Sequence, residues 1–173
     1  MKKILIAFWA VLFFYFLFLN PVFSLDKIAC VDLLRIAKEY TKAQAYNKAL
    51  DDKQTAYRAE IDKKANEIRQ FQDKLNLLSE KEKEAKRQEL ENKIKALDDF
   101  IKEKELDLRK TELENTKEIL KEIEDVVKQY AEKEGYTLVL DDRSLLYRVD
   151  TLDITDKIIE ILNKDYASKK DKR

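Results

Sequence analysis

The stretch from Leu34 to Glu134 contains neither glycine nor proline, and this feature constrains the fold more than any other. The only proline of the chain, Pro21, lies before the stretch, and the only glycine, Gly135, follows it directly. Its many Lys, Glu, Gln, Leu and Ala residues lose little side-chain freedom in a helix. The composition therefore predicts helix throughout, and a single helix of this length would extend for roughly 150 Å.

A reversal of the chain is predicted near Ser79, which divides the stretch into two helices. Ser79 and Glu82 have the S-x-x-E spacing of a capping box, and Asn76 can leave helical geometry at little cost. Apolar residues recur on both sides at helical spacing, which places each set on one helix face. The first set is Tyr46, Leu50, Tyr57, Ile61, Ile68, Phe71 and Leu75, and the second is Leu90, Ile94, Leu97, Ile101 and Leu108. We therefore predict a long antiparallel helical hairpin over residues 35–134 with its tip at residues 76–80.

The base of the second helix carries a wider apolar face than the rest of the hairpin. One row comprises Ile119, Ile123, Val126 and Tyr130, and a second row, with a regular heptad spacing, comprises Leu106, Leu113, Leu120 and Val127. A single partner helix cannot cover a face of this width. The pattern therefore predicts that the base of the hairpin packs into a body while the tip projects into water.

Residues 1–24 have the pattern of a secretory signal peptide. Two lysines precede an unbroken apolar run over residues 4–19, and a break at Pro21 and a small residue at Ser24 follow. The run is short for a membrane span, which needs about 20 residues. We predict export with removal of this segment, and an uncleaved N-terminal anchor is the alternative.

Cys30 is the only cysteine of the chain, so an internal disulfide is excluded. The charged residue Lys27 and the distance from the apolar run do not fit the acylated cysteine of a lipoprotein. The sequence predicts a buried free thiol on a strand. An intermolecular disulfide is the alternative.

Short apolar and β-branched segments flank the hairpin and predict a small sheet. Three strands are predicted, at residues 27–31, 136–140 and 145–149. The last two strands are joined by a turn at residues 141–144 and are expected to form a β-hairpin.

Gly135 and Asp153 are residue types that favour helix ends, and both lie in the C-terminal part of the chain. Gly135 is placed to end the second long helix. Asp153 is placed to cap a closing helix over residues 154–162. The Lys- and Asp-rich tail at residues 168–173 is predicted to be disordered.

Three short strands and one short helix make a marginal core, so the body is expected to need further packing. Burial between subunits, in an obligate oligomer, would supply it. The body comprises residues 25–34 and 135–167, and the fold class is α+β, mostly α. The residues predicted to mediate association are Ile28, Cys30, Val31, Leu138, Val139, Leu140, Leu146 and Tyr147.

The charge balance and the missing residue types exclude several classes of function. Lys plus Arg and Asp plus Glu both number 35, so there is no basic excess for a nucleic acid. The chain has no His, one Gly and one Cys, which excludes His-based acid–base or metal chemistry, a phosphate-binding loop and a cysteine pair. Two acidic pairs, Asp98-Asp99 and Asp141-Asp142, are interpreted as surface and turn residues. We therefore expect no enzyme, no cofactor, no metal and no small-molecule substrate.

Five segments together resemble the Skp (OmpH-like) family of periplasmic chaperones. They are K-I-A-C-V-D, L-L-S-E-K-E at the tip, Y-T-L-V-L-D, L-L-Y and D-I-T-D-K-I-I-E-I-L-N. The resemblance extends from Lys27 to about Lys164. Its most specific part is the segment that leads into Asp153-Ile154-Thr155.

The resemblance implies a homotrimer in which short strands of three chains form a central body and three hairpins enclose a cavity. It also implies an ATP-independent holdase in the periplasm that binds unfolded outer-membrane β-barrel proteins and prevents their aggregation. Phe100, as an apolar residue off the seam, and Tyr40, as an exposed tyrosine, are the residues proposed to contact clients. No lipopolysaccharide site is inferred, because residues 79–110 contain as many acidic as basic residues. A membrane-surface contact is left open, and a structural envelope coiled coil or a membrane-anchored tether is the alternative function.

Overall fold

The computed structural model describes residues 27–171. Two strands, four α-helices and two 3-10 turns lie in this part of the chain. In order they are β1 (Ile28–Val31), α1 (Leu33–Glu39), α2 (Thr41–Asn76), α3 (Glu80–Glu134), β2 (Leu138–Asp141), the turns Asp142–Ser144 and Asp150–Leu152, and α4 (Thr155–Lys170). The predicted signal peptide at residues 1–24 lies outside the described residues.

Helices α2 and α3 form the predicted antiparallel hairpin, which is confirmed. Lys42 pairs with Glu118 near the base, Lys53 pairs with Asp107 further along, and Lys64 lies over the Phe100 ring. The contacts on α3 thus move back along the chain as those on α2 move forward. Helix α3 has 55 residues, which corresponds to a length of about 80 Å.

The chain reverses between Asn76 and Glu80, and the capping box starts the second helix. The backbone N–H of Ser79 donates to Glu82 Oε2 at 3.1 Å, and the Ser79 hydroxyl donates to the same oxygen at 2.5 Å. These hydrogen bonds lower the pKa of Glu82. The carboxylate also lies in the first turn, where the helix dipole favours negative charge.

The first long helix is interrupted at Tyr40, which the sequence did not predict. Tyr40 has extended backbone angles, φ −72° and ψ 115°, between α1 and α2. The side chain of Asn163 in α4 caps both sides of this break. Its amide oxygen accepts the N–H of Thr41 at 2.8 Å, and its amide nitrogen donates to the carbonyl of Glu39 at 3.2 Å.

The sheet has two parallel strands, with Ile28 opposite Leu138 and Val31 opposite Asp141. Gly135 ends α3 in the left-handed conformation, φ 75°, and turns the chain into β2. The whole helical hairpin therefore serves as the crossover connection that parallel strands require.

The predicted third strand at residues 145–149 is wrong for the single chain. This segment lies between the two 3-10 turns and pairs with neither strand of the described chain. Arg148 is held instead by ion pairs with Asp142 and Asp153 at the two ends of the segment. These side-chain contacts fix the segment in place without strand pairing to β2.

Helix α4 is longer than predicted and begins at Thr155. Asp153 still caps locally, since its carboxylate accepts the N–H of Thr155 at 2.8 Å. The Thr155 hydroxyl in turn accepts the N–H of Asp32 at 2.9 Å and connects α4 to the start of α1. Residues 168–170 are helical, so the predicted disorder is wrong for them.

The apolar core lies where β1, α1, α4 and the base of the hairpin meet. Its buried members are Ala29, Val31, Ile36, Tyr40, Ala43, Ile119, Ile123, Ile154, Ile158, Ile159 and Leu162. Above this level, α2 and α3 mostly contact each other along a single seam. The core therefore stabilises the body, and most of the hairpin projects away from it.

Candidate functional site

The body exposes a set of apolar side chains that its own core does not cover. The exposed body residues are Ile28, Leu34, Leu138, Leu146, Tyr147 and Val149. Leu146 is fully exposed, and Tyr147 retains 83% of its accessible surface. Ile28 and Leu138 are opposite each other in the sheet register, so they form one exposed spot.

The residues that the sequence predicted for association fall into three groups in the single chain. Four are exposed or nearly so: Ile28, Leu138, Leu146 and Tyr147. Cys30 and Val31 are buried inside the body, and Val139 and Leu140 are half-buried. The two buried residues can support an association surface from behind, whereas the exposed and half-buried residues offer side chains to it.

Arg148 fixes the segment that carries Leu146 and Tyr147. Its Nε lies 2.5 Å from an oxygen of Asp142, and its Nη2 lies 2.7 Å from an oxygen of Asp153. The hydrogen bond to Asp142 raises the pKa of Arg148. Burial raises the pKa of Asp153, but hydrogen bonds from Thr155 and the charge of Arg148 outweigh it and lower that pKa. The ion pairs of Arg148 thus hold the backbone that carries the exposed side chains of Leu146 and Tyr147.

Cys30 is a buried free thiol in β1, as the sequence predicted. Burial raises the pKa of the thiol, which disfavours the thiolate. The side chain is completely covered within the chain.

A second exposed apolar feature lies on α3 and is called here the leucine row: Leu106, Leu113 and Leu120. Their exposed fractions are 66%, 69% and 50%. At 3.6 residues per turn, the row lies on the side of α3 opposite the residues that contact α2, such as Thr111. Val127, the fourth residue of the predicted row, packs against the body core. The row therefore runs from the core up the back of the hairpin.

The two residues predicted to contact clients lie in different surroundings. The expectation that Phe100 lies off the seam is wrong, because it is half-buried in the seam, with the ammonium groups of Lys64 and Lys104 both 4.9 Å from its ring centre. The expectation that Tyr40 is exposed is wrong, because it retains only 3% of its surface. Its ring packs edge-on against Tyr166, and its hydroxyl donates to Glu122 at 2.7 Å.

Sequence reasoning missed one buried polar group at the base of the hairpin. The ammonium of Lys42 lies between Glu118 and Glu122, 2.7 Å from each carboxylate. The available signal was the i,i+4 spacing of the two glutamates, which lie next to the predicted core row containing Ile119. The sequence shows this spacing, but it does not show that Lys42 contacts the two glutamates across the hairpin.

Within residues 27–171, no group of three His, Cys, Asp or Glu side chains is arranged to hold a metal ion. None of the helices in the same range is sufficiently long and apolar to span a bilayer.

The fold is that of a helical hairpin protein: a long hairpin projects from a small sheet-containing body, and both parts carry uncovered apolar side chains. A family model described as outer membrane protein (OmpH-like) matches residues 27–162, which is most of the chain. The chain therefore belongs to the OmpH-like family.

A solved structure from Caulobacter crescentus CB15, described as a candidate outer membrane chaperone (OmpH-like), has the same fold. The TM-score is 0.76 at 15% sequence identity, over 82% of this chain and 86% of the other. No curated protein sequence matches the chain significantly. The likeness in fold agrees with the family assignment, which rests on the sequence match.

Proposed function

We propose that this protein is an ATP-independent holdase chaperone that binds unfolded outer-membrane β-barrel proteins and prevents their aggregation. Membership of the OmpH-like family supports this proposal. The description of the Caulobacter structure as a chaperone is consistent with it. The observation that carries the proposal is the leucine row, an apolar surface on a projecting helix that residues 27–171 leave uncovered.

The leucine row is the proposed client surface of the hairpin. Successive leucines are about 10 Å apart along the helix. Arg109, Lys110 and Lys117 lie between them and keep this face hydrated. Contacts made by three separated leucines are individually weak, which allows a client to remain mobile and to leave. Phe100 would add an aromatic contact only after its lysine neighbours move.

Association of three chains through the exposed body residues is the second part of the proposal. Among residues 27–171, β1 is the only strand that pairs with β2, so the other edge of β2 offers unpaired backbone groups to a second chain. Leu146 and Tyr147 are large apolar side chains that a monomer would leave in water. In a trimer the three leucine rows would act on one client, which raises avidity without a strong single site.

The proposed location is the periplasm. It depends on residues 1–24 as a cleaved signal peptide, for which the lysines, the apolar run and Ser24 are the support. The N-terminal sequence of the protein isolated from cells would test it. A start near Leu25 is expected, and retention of residues 4–19 would favour the membrane-anchored alternative.

The chaperone proposal is tested by diluting a urea-unfolded outer-membrane β-barrel protein into buffer with and without the purified protein. Turbidity of the client should be suppressed in the absence of nucleotide, at a ratio of about one trimer per client. A soluble complex that contains both proteins should elute in size-exclusion chromatography. Unchanged aggregation of the client at a large excess of the protein would contradict the proposal.

A further inference from the structure

Tyr40 lies at the point where the chain leaves the body and enters the hairpin. This residue separates α1, which packs in the body, from α2, which projects. Its ring contacts Tyr166 of α4, with ring centres 6.2 Å apart at 80°. Its hydroxyl donates to Glu122 of α3. Three helices therefore converge on the residue at which the chain changes direction.

A closed polar network, called here the joint cluster, surrounds this point: Tyr40, Lys42, Tyr46, Glu118 and Glu122. The Lys42 ammonium donates to one oxygen of each glutamate at 2.7 Å. The second oxygen of Glu122 accepts from Tyr40 at 2.7 Å, and that of Glu118 accepts from Tyr46 at 2.8 Å. Only 11% of the Lys42 side chain is exposed. Each polar group thus has a partner, and the geometry leaves little freedom.

The joint cluster fixes the relative position of the two helices more precisely than the apolar contacts of the rest of the hairpin. Apolar seam contacts are non-directional and tolerate small shifts of one helix along another. Short hydrogen bonds between ionised groups have a defined geometry, and a misplaced glutamate would leave the buried charge of Lys42 unpaired. The cluster therefore defines the position of α2 against α3 more sharply than the seam can, and the ring contact of Tyr40 with Tyr166 connects it to the body.

We propose that Lys42, Glu118 and Glu122 are positioning residues that lock the angle between hairpin and body, and that protonation of the two glutamates releases this lock. The inference goes beyond the proposed chaperone function, because it concerns the hairpin in the absence of a client. All contacts of the joint cluster lie within one chain, so the inference does not depend on the oligomeric state.

The groups that face the cluster come from three elements. The junction and α2 contribute Tyr40, Lys42 and Tyr46, and α3 contributes Glu118 and Glu122. Helix α4 contributes Tyr166, Lys169 and Lys170, and Asp165 lies near Tyr40. Protonation of the glutamates removes the two carboxylate charges beside Lys42 and leaves its buried ammonium without a counter-charge, which favours opening.

The direction of the pH effect follows from the two carboxyl groups. Hydrogen bonds from Lys42 and Tyr46 lower the pKa of Glu118. Burial raises the pKa of Glu122, but hydrogen bonds from Lys42 and Tyr40 outweigh it and the net pKa is lowered. A carboxyl group with a lowered pKa stabilises the fold above its unfolded value of about 4.3 and loses that effect as pH falls through its folded pKa. The joint should therefore be locked at neutral pH and should open in acid.

Pulsed electron paramagnetic resonance between spin labels on α2 and α4 tests the proposal. Ala59→Cys and Ala167→Cys place the labels on exposed sites, in a Cys30→Ala background. Dilution with excess unlabelled protein removes distances between subunits. We expect a narrow distance distribution at pH 7 that broadens reversibly below about pH 4.3 while helix content, measured by circular dichroism, is retained.

Two variants and one matched control decide the outcome. Glu118→Gln with Glu122→Gln should give a broad distribution at both pH values, because the amides cannot titrate. Glu114→Gln with Glu124→Gln removes two exposed carboxylates from the same helix and should behave like the unsubstituted protein. Tyr46→Phe removes one hydrogen bond and should move the midpoint upward by about 0.5–1 pH unit.

Three results would overturn the inference. The first is a distribution that stays narrow as pH falls while the helices persist. The second is a glutamine pair that still titrates like the unsubstituted protein. The third is a midpoint in Tyr46→Phe that does not move. None of these results involves a client, so the chaperone proposal is judged separately by the aggregation assay.

Discussion

At the scale of single residues, the features predicted correctly are those set by neighbours in the chain. Ser79 and Glu82 are three positions apart, and their capping box is present. Gly135 adopts the left-handed conformation in which a helix commonly ends. The joint cluster was not predicted because Lys42 meets a glutamate 76 positions away. Such a contact depends on the register of two helices, which the pattern of either helix alone does not fix.

Replacement of Gly135 tests whether backbone strain alone governs that site. A Cβ atom at this position would meet nothing within 4 Å, so crowding is not a factor. Gly135→Ala should lower the free energy of unfolding by about 1 kcal/mol, because an L-residue is strained at this φ. Gly135→Asn should cost less, since asparagine tolerates the left-handed region. Equal urea midpoints for the glycine and alanine proteins would contradict this explanation.

At the scale of elements, the two long helices and two of the three predicted strands are present, but the pairing of the strands was not predicted. Composition and end signals define the helices locally, whereas strand pairing is a contact between distant segments. The sequence suggested that residues 136–140 and 145–149 form an antiparallel pair. The structure instead pairs β2 with β1 in parallel, across the whole hairpin. The break at Tyr40 was missed for a similar reason, because Asn163 caps it from another helix.

The leucine row gives a prediction at this scale. Leu106→Ser, Leu113→Ser and Leu120→Ser combined should reduce suppression of client aggregation at least several-fold. Helix content and oligomeric mass should change little, because the three side chains are at least half exposed. The measurement is the chaperone concentration that halves client turbidity.

Single substitutions provide the control for the leucine row. Leu113→Ser should weaken suppression, whereas Leu77→Ser, which removes an exposed leucine at the tip, should not. Equal effects of the two substitutions would contradict a specific role of the row. They would instead indicate that any exposed leucine of the hairpin contributes alike.

At the scale of the whole molecule, the sequence indicated a body with too small a core, and the structure shows where its uncovered apolar side chains lie. The prediction of eight association residues did not distinguish between those that face out and those that face in. Alternation along a strand gives two faces, but it does not say which face the chain itself covers. Cys30 and Val31 proved to be buried within the chain, whereas Leu146 and Tyr147 are exposed to solvent.

Charged substitutions at the body separate assembly from folding. Leu146→Asp should abolish the proposed trimer and leave a folded monomer, because the side chain is fully exposed in the single chain. Val139→Asp should also abolish the trimer, but it should lower the unfolding midpoint as well, because Val139 packs against the core. Mass by light scattering and a urea titration of each variant are the measurements. A Leu146→Asp protein that keeps the mass of the unsubstituted oligomer would rule out this residue as part of the interface.

The most direct test of the central claim is the solution mass of the protein, measured by light scattering alone and after addition of a urea-diluted outer-membrane β-barrel protein. The account predicts a trimer that takes up the client and remains soluble with it. A trimer that leaves the client to aggregate would agree with the proposed assembly but contradict the proposed chaperone function. A monomer or dimer would contradict the proposed assembly itself.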